Sequence, residues 1–346
     1  MTLKPLRPQS DWPSGNLVML AHQSGILDGN PLGDPTLRQH PVYLPPGYDA
    51  ESQRRYPVLW SLAAYTNSGL GQVAWRNQGE TLPQRLDRLI GAGKMPPAVV
   101  VFPDCYTALG GNQYVNSPAL GNYADYLVHE LIPEVDASFR TIPKPEARGV
   151  FGKSSGGFGG LHLAMAHPGH FGVVACHAGD CGFDRVYQRD FPVACDVLAR
   201  HEGNVEAFVQ TFWRDRRPGG AAFHTLMTLC LAASYSPDPS QPLGLKLPFD
   251  LRTCRLDPEV WERWLAFDPL RRAPRSLDAL NALSGLWLDV GRRDQYFIHY
   301  GTRELHDLLR GAGVSHHFEE FDGTHSGIDW RYDHALPWLA ARLKVD

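Results

Sequence analysis

The chain has 346 residues, with 33 basic and 37 acidic side chains and a formal net charge of −4. That balance leaves no cationic surplus to neutralise a phosphate backbone, so nucleic acid is excluded as an expected partner. Hydrophobic residues at 43% and charged residues at 20% are ordinary for a globular protein, and the length allows one large α/β domain or two smaller ones.

The N-terminus is polar from Met1 through Trp12 and lacks the apolar stretch of a secretory signal. No segment approaches the roughly 18 apolar residues needed to cross a bilayer. The longest apolar runs, Ala98 to Phe102 and the mixed stretch Leu226 to Tyr235, read as core. Cys105, Cys176, Cys181, Cys195, Cys230 and Cys254 lie far apart with no C-x-x-C spacing. A chain this long needs no disulfides, so they are expected as mostly buried free thiols of a cytoplasmic protein. No membrane partner is expected, and a homo-oligomer is left open.

The first third is strand-rich. His40 to Leu44 is closed by Pro45-Pro46-Gly47, and Val58 to Leu62 follows Tyr56-Pro57. Ala98 to Phe102 is almost wholly apolar. Such runs suit parallel strands buried on both faces. Between the last two, Gln78 to Gly91 places Leu82, Leu86 and Leu89 on one helical face. Tyr123 to Phe139 repeats Leu127, Leu131, Val135 and Phe139 at four-residue steps, a helix that Pro133 should kink. Gly149 to Phe151 reads as a strand, Gly156 to Ala166 as a helix and Phe171 to Cys176 as another strand.

The rhythm then breaks. Val205 to Trp213, Phe223 to Ala233 and Pro258 to Phe267 are helical patterns with no buried strand between them. Alternation resumes with a strand at Leu286 to Val290, a helix at Phe297 to Leu309, a strand at Val314 to Phe321 and a final helix bearing Leu336, Leu339 and Leu343. The simplest reading is a doubly wound, mostly parallel α/β sheet formed by residues 1–180 and 284–346. A mostly helical insertion, 181–283, interrupts it and is expected to cap the site.

Gly152-Lys153-Ser154-Ser155-Gly156 fits G-x-S-x-G, a serine on a tight strand-to-helix turn. Ser154 has glycine at both −2 and +2, whereas Ser155 has Lys153 at −2, so Ser154 is the candidate nucleophile. The same stretch contains Gly-Lys-Ser, but a phosphate-binding loop needs glycine where this chain has Ala147. A serine hydroxyl needs a base, and the base an orienting carboxylate. With this elbow the expected chain order is Ser, then Asp or Glu, then His. Asp294 follows one late strand and His325 follows the last. Both stand at carboxyl ends of strands, where open α/β sheets place their sites. Asp289 is the rival carboxylate but lies inside a strand. His162 and His167, five apart on a helix, make a poor metal pair, and no zinc-ligand spacing is visible. Neither metal nor cofactor is expected.

The oxyanion donors are expected to be the backbone N–H groups of Ser155 and of Tyr65, in the loop after Val58 to Leu62. Trp213, Phe223, Trp261 and Trp264 of the insertion either line an acyl pocket or form the insertion's own core. Trp330 and Tyr123, the latter closing the long loop Tyr106 to Leu120, are further candidate wall residues.

Together these residues resemble the putative-esterase family of α/β-hydrolases, which includes esterase D and enterochelin esterase-like proteins. The resemblance begins at Leu27 to Pro35 and runs through Val42 to Tyr48, Tyr56 to Leu59, Phe102 to Asp104 and Glu130 to Pro133. It continues through the elbow, Gly291 to Asp294 and Thr324-His325. It implies an α/β-hydrolase fold, a triad of Ser154, Asp294 and His325, and backbone donors at Ser155 and Tyr65. The chain departs from the family at Ala63-Ala64, where relatives often carry His-Gly or Asp-Gly. The expected activity is hydrolysis of a small or medium carboxylic ester through an acyl-enzyme. An acyltransferase with the same triad, or a non-catalytic binding protein on this scaffold, are the alternatives.

Overall fold

The computed structural model describes residues 11–76 and 79–344. Eight strands form one sheet: β1 (Asn16–Gln23), β2 (Leu37–Leu44), β3 (Val58–Leu62), β4 (Val99–Val101), β5 (Arg148–Lys153), β6 (Val173–His177), β7 (Gly285–Gly291) and β8 (His317–Phe321). Their spatial order is β1-β2-β4-β3-β5-β6-β7-β8. β1 pairs with β2 and β2 with β4 in antiparallel fashion, and every pairing from β4 to β8 is parallel.

The strands alternate their apolar side chains between two layers. Val58, Trp60 and Leu62 of β3 face one core, and Leu59 faces the other. Val99 and Val101 of β4 likewise oppose Val100. The second layer is covered by α1 (Leu82–Gly91), through Leu86 and Leu89, and by the C-terminal helix, through Leu336 and Leu339. The larger layer is covered by the segment Tyr123–Ser138, by α3 (Ser155–Ala166) and by helices between β6 and β7. Burial on both faces explains why β3 to β7 carry almost no polar alternation. The expected start of α1 at Gln78 and the polar stretch Met1 to Ser10 lie outside the described residues.

Four elements depart from the sequence expectation. β1 is an edge strand whose Leu17 and Met19 are exposed while Val18 and Leu20 pack on the core. Apolar residues on both faces hide its period. The segment Tyr123–Ser138 is one unbroken helical run that changes type ahead of Pro133. A π-helical turn, Tyr126–Leu131, leads directly into α2 (Ile132–Ser138), and the Ile132 N–H reaches back to the Leu127 carbonyl, a wider turn just before the proline, which has no N–H to donate. The last strand starts at His317 rather than Val314. The stretch between β6 and β7 also contains α4 (Phe191–Ala199), which no amphipathic period announced because its apolar residues surround it.

The other helices of eight or more residues are α5 (Val205–Arg214), α6 (Gly220–Tyr235), α7 (Pro258–Leu265), α8 (Ile298–Gly311) and α9 (Tyr332–Ala340). All six cysteines are free, and five are buried. Among the described residues no helix is long and apolar enough to cross a membrane.

Candidate active site

Ser154 joins β5 to α3 at φ 57° and ψ −125°, a conformation rarely adopted by a residue bearing Cβ. Its N–H donates to the His177 carbonyl at 3.0 Å, and its carbonyl accepts the Phe158 N–H at 2.8 Å. The turn is held from both sides. A Cβ on Gly156 would lie 2.1 Å from the Leu62 carbonyl oxygen, and one on Gly152 would lie 2.6 Å from the Gly156 carbonyl carbon. The two glycines of the motif are therefore fixed by backbone packed against backbone, and the strained residue between them is pushed out at the sheet's carboxyl edge.

Asp294 and His325 come from the loops after β7 and β8. The loops are tied together: the Arg293 N–H donates to the Gly323 carbonyl, and the His325 N–H donates to Gln295 Oε1, both at 2.9 Å. His325 Nδ1 lies 2.8 Å from Asp294 Oδ2, and Asp294 Oδ1 accepts the Tyr296 N–H at 2.8 Å. A carboxylate only accepts, so the imidazole proton sits on Nδ1 and the Nε2 lone pair is left to act as a base. Asp294 is buried, and His325 is buried except at the cavity. Ser154 and His325 line one cavity of about 230 Å³. No hydrogen bond joins the Ser154 hydroxyl to His325 among the described residues. Such contacts are commonly long in ligand-free sites and close on substrate binding.

Asp289 has other partners. It is fully buried and accepts from His177 Nδ1 at 2.7 Å, Arg331 Nε at 2.8 Å and Trp287 Nε1 at 2.9 Å. Burial acts to raise its pKa. The His177, Arg331 and Trp287 donors outweigh it and hold the carboxyl below its ordinary value.

Ser155 opens α3, whose first N–H groups have no intrahelical acceptor. Its hydroxyl accepts from Gln113 Nε2 at 2.9 Å. Tyr65 also lines the cavity. The loop carrying it is pinned by the Tyr114 hydroxyl, which donates to the Ala63 carbonyl at 2.6 Å, and by the Thr66 N–H, which donates to the Gly110 carbonyl at 2.9 Å. The Tyr65 hydroxyl donates to the Leu109 carbonyl at 2.8 Å, and its ring meets Phe223 edge-on at 5.6 Å. These contacts define the loop at Ala63-Ala64, where the chain departs from the family pattern.

Five expected wall residues lie elsewhere. Trp261 is buried among Phe191 and Trp264 and donates to Asp184 Oδ1 at 2.9 Å. Trp264 is likewise insertion core. Trp213 is 48% exposed, with its Nε1 donating to the Ala108 carbonyl. Trp330 is 43% exposed and packs against Phe321 and His334. Tyr123 is buried, with its hydroxyl accepting from Arg38 Nη2 at 2.6 Å. Of the expected insertion aromatics Phe223 lines the cavity, and the rest of the apolar wall comes from Val186, Tyr187, Met227 and Tyr296.

A buried charged wall residue escaped the sequence reading. Asp180 lies just past β6, is buried, and accepts from the Tyr187 hydroxyl at 2.8 Å. Burial pushes its carboxyl up to about 6; the Tyr187 hydrogen bond and the His325 charge pull the other way, and the Asp294 and Asp268 charges add to the rise. Its place at a strand's carboxyl end was the available signal. No motif surrounds it, so nothing separated it from other loop aspartates.

A parallel sheet with helices on both faces, a serine elbow and a carboxylate–imidazole pair at its carboxyl edge define an α/β-hydrolase. The chain belongs to the "Putative esterase" family, whose match covers residues 36–336. It is 33% identical over 309 residues to Esterase Rv1288 of Mycobacterium tuberculosis strain H37Rv, covering 88% of this chain and 56% of that protein. The chain thus spans about half the length of the curated relatives it matches first. Among solved structures it superposes on a ferulic acid esterase with a TM-score of 0.62 at 17% identity, covering 96% of this chain and 99% of the other. The S-formylglutathione hydrolase of Agrobacterium tumefaciens gives 0.57 at 17% identity, covering 97% and 99%. At these identities the structural likeness speaks for the fold.

Proposed function

We propose that the protein is a serine carboxylic-ester hydrolase in which Ser154 is the nucleophile, His325 the base and Asp294 its orienting carboxylate. The observation that carries this reading is the 2.8 Å Asp294–His325 pair facing the cavity that also holds the strained Ser154 turn. His325 Nε2 takes the Ser154 proton, and the alkoxide forms a bond to the ester carbonyl carbon. The oxyanion is received by the Ser155 and Tyr65 N–H groups. The tetrahedral intermediate collapses, the ester C–O bond breaks, and the alcohol leaves with the proton from His325. Water then repeats the sequence on the acyl-enzyme.

The aromatic and apolar wall of Tyr65, Tyr187, Phe223, Met227 and Tyr296 suits an apolar or aryl acyl group. Hydrolysis of p-nitrophenyl acetate, p-nitrophenyl butyrate and methyl ferulate by wild type and Ser154→Ala tests the assignment. The variant is expected to lose several orders of magnitude in kcat. Equal rates in the two proteins would remove Ser154 from the mechanism.

A further inference from the structure

Away from the Ser154 cavity, two imidazoles gather around one carboxylate, with a third ring beside them. Asp125 and His129 stand four residues apart at the start of the π-helical segment, and His167 and His170 flank the turn that follows α3. Asp125 Oδ1 lies 3.9 Å from His129 Nε2 and 4.0 Å from His167 Nε2. One ligating atom from each of Asp125, His129 and His167 falls within 4.8 Å of the other two. The His170 ring centroid is 5.6 Å from His129 and 6.3 Å from His167.

These separations are too long for hydrogen bonds and close to those of a shared ion. N–H···O bonds span about 2.7–3.2 Å. Tetrahedral zinc with bonds of about 2.0–2.2 Å holds its ligand atoms about 3.3–3.5 Å apart. A contraction of about half an ångström brings each imidazole to that distance from Asp125 Oδ1, and the exposed His129 side chain has room to make it. His170 Nδ1 lies 3.2 Å from the His167 carbonyl, so that nitrogen donates and Nε2 keeps its lone pair. A ring nitrogen bonded to a backbone carbonyl is the usual support of a metal-bound histidine. Burial lowers the His167 pKa, and the charges of His170, His129 and Arg272 add to this while Asp125 opposes it. The Arg272 charge works against a cation there.

We propose that Asp125, His129 and His167 form a site for one divalent transition-metal ion of the zinc type, with the His170 ring beside it. The site ties the segment at Tyr123–Leu131 to the far end of α3. A 12-residue helix rises about 18 Å, so the ion would sit well away from Ser154 and take no part in ester chemistry. Its role is a structural clamp, independent of the hydrolase reading. Histidine spacing along the chain hid it, because the two halves come from elements brought together only by folding.

Calorimetric titration of chelator-treated protein with zinc chloride tests the site, alongside thermal unfolding. Wild type is expected to bind one ion saturably and to gain several degrees in Tm. A His129→Ala/His167→Ala double variant should lose both responses while keeping its activity on p-nitrophenyl acetate. Asp125→Asn, which preserves side-chain shape, should weaken binding at least tenfold. Cobalt substituted for zinc should give the visible absorption of a four-coordinate site. No saturable binding in wild type would overturn the proposal. So would unchanged binding in the double variant, or binding lost in His325→Ala instead, which would place the ion at the Ser154 cavity.

Discussion

Asp289 and His177 form a second buried carboxylate–imidazole pair, 2.7 Å apart on neighbouring strands, beneath the pair made by Asp294 and His325. The two carboxylates are five residues apart and have different partners. Asp289 also holds the buried Arg331 guanidinium, which reaches Glu319 on β8. Among the described residues, the Asp294 carboxylate holds His325 and the Tyr296 backbone. One pair is enclosed in the sheet and the other opens on the cavity.

This contrast predicts a double dissociation. Asp289→Ala strands three buried donors and should destabilise the fold by about 3–5 kcal/mol in urea unfolding. Its stabilising effect is fully present above the ordinary aspartate value of 3.8 and is lost as pH falls through the depressed folded value. Asp294→Ala should lower kcat about 10⁴-fold while the unfolding midpoint moves far less. A large loss of activity from Asp289→Asn in a fully folded protein would exchange their roles.

The strain at Ser154 predicts a trade of stability against activity. A residue with Cβ at φ 57° and ψ −125° costs of order 1–3 kcal/mol, and glycine relieves it. Ser154→Gly should therefore unfold at higher temperature than Ser154→Ala, by about 1 kcal/mol of stability, with both inactive. Gly156→Ala should do the opposite and destabilise by about 3 kcal/mol, because its Cβ meets the Leu62 carbonyl. Comparing the three melting curves tests the turn geometry without any substrate.

Asp180 predicts a pH dependence of opposite sign to that of Asp289. Its folded value is raised to about 6 from the ordinary 3.8, so the fold favours the protonated form. Its contribution is fully present below about 3.8 and is lost as pH rises through about 6, with about 3 kcal/mol at stake across that window. Asp180→Asn keeps an acceptor for the Tyr187 hydroxyl and removes the charge. The variant should gain on wild type between about pH 4.5 and about pH 8 in urea unfolding. An equal difference at both values would show that Asp180 is ionised throughout.

Backbone chemistry was legible along the chain. Gly152 and Gly156 are imposed by contacts within a few residues of Ser154 and by the neighbouring β3 carbonyl, so a five-residue pattern carries the turn. Burial on both faces wrote β3 to β7 as apolar runs, and sheet topology gave Asp294 and His325 their places at strand ends. The edge strand β1 and the π-helical turn before Pro133 left weaker traces, because neither has a single-period apolar face. The wall of the cavity left almost none. Tyr187, Phe223 and Tyr296 meet there from three separate segments, while Trp213, Trp261 and Trp330, equally aromatic, point elsewhere. Asp180 and the Asp125–His129–His167 cluster follow the same logic. A side chain's type is fixed by its codon, but its neighbours across the fold are fixed by packing. The sequence alone determined the fold class, the elbow and the order of the candidate triad. Only the tertiary structure decided which carboxylate faces His325, which aromatics line the cavity and which histidines converge, because those depend on contacts between residues far apart in the chain.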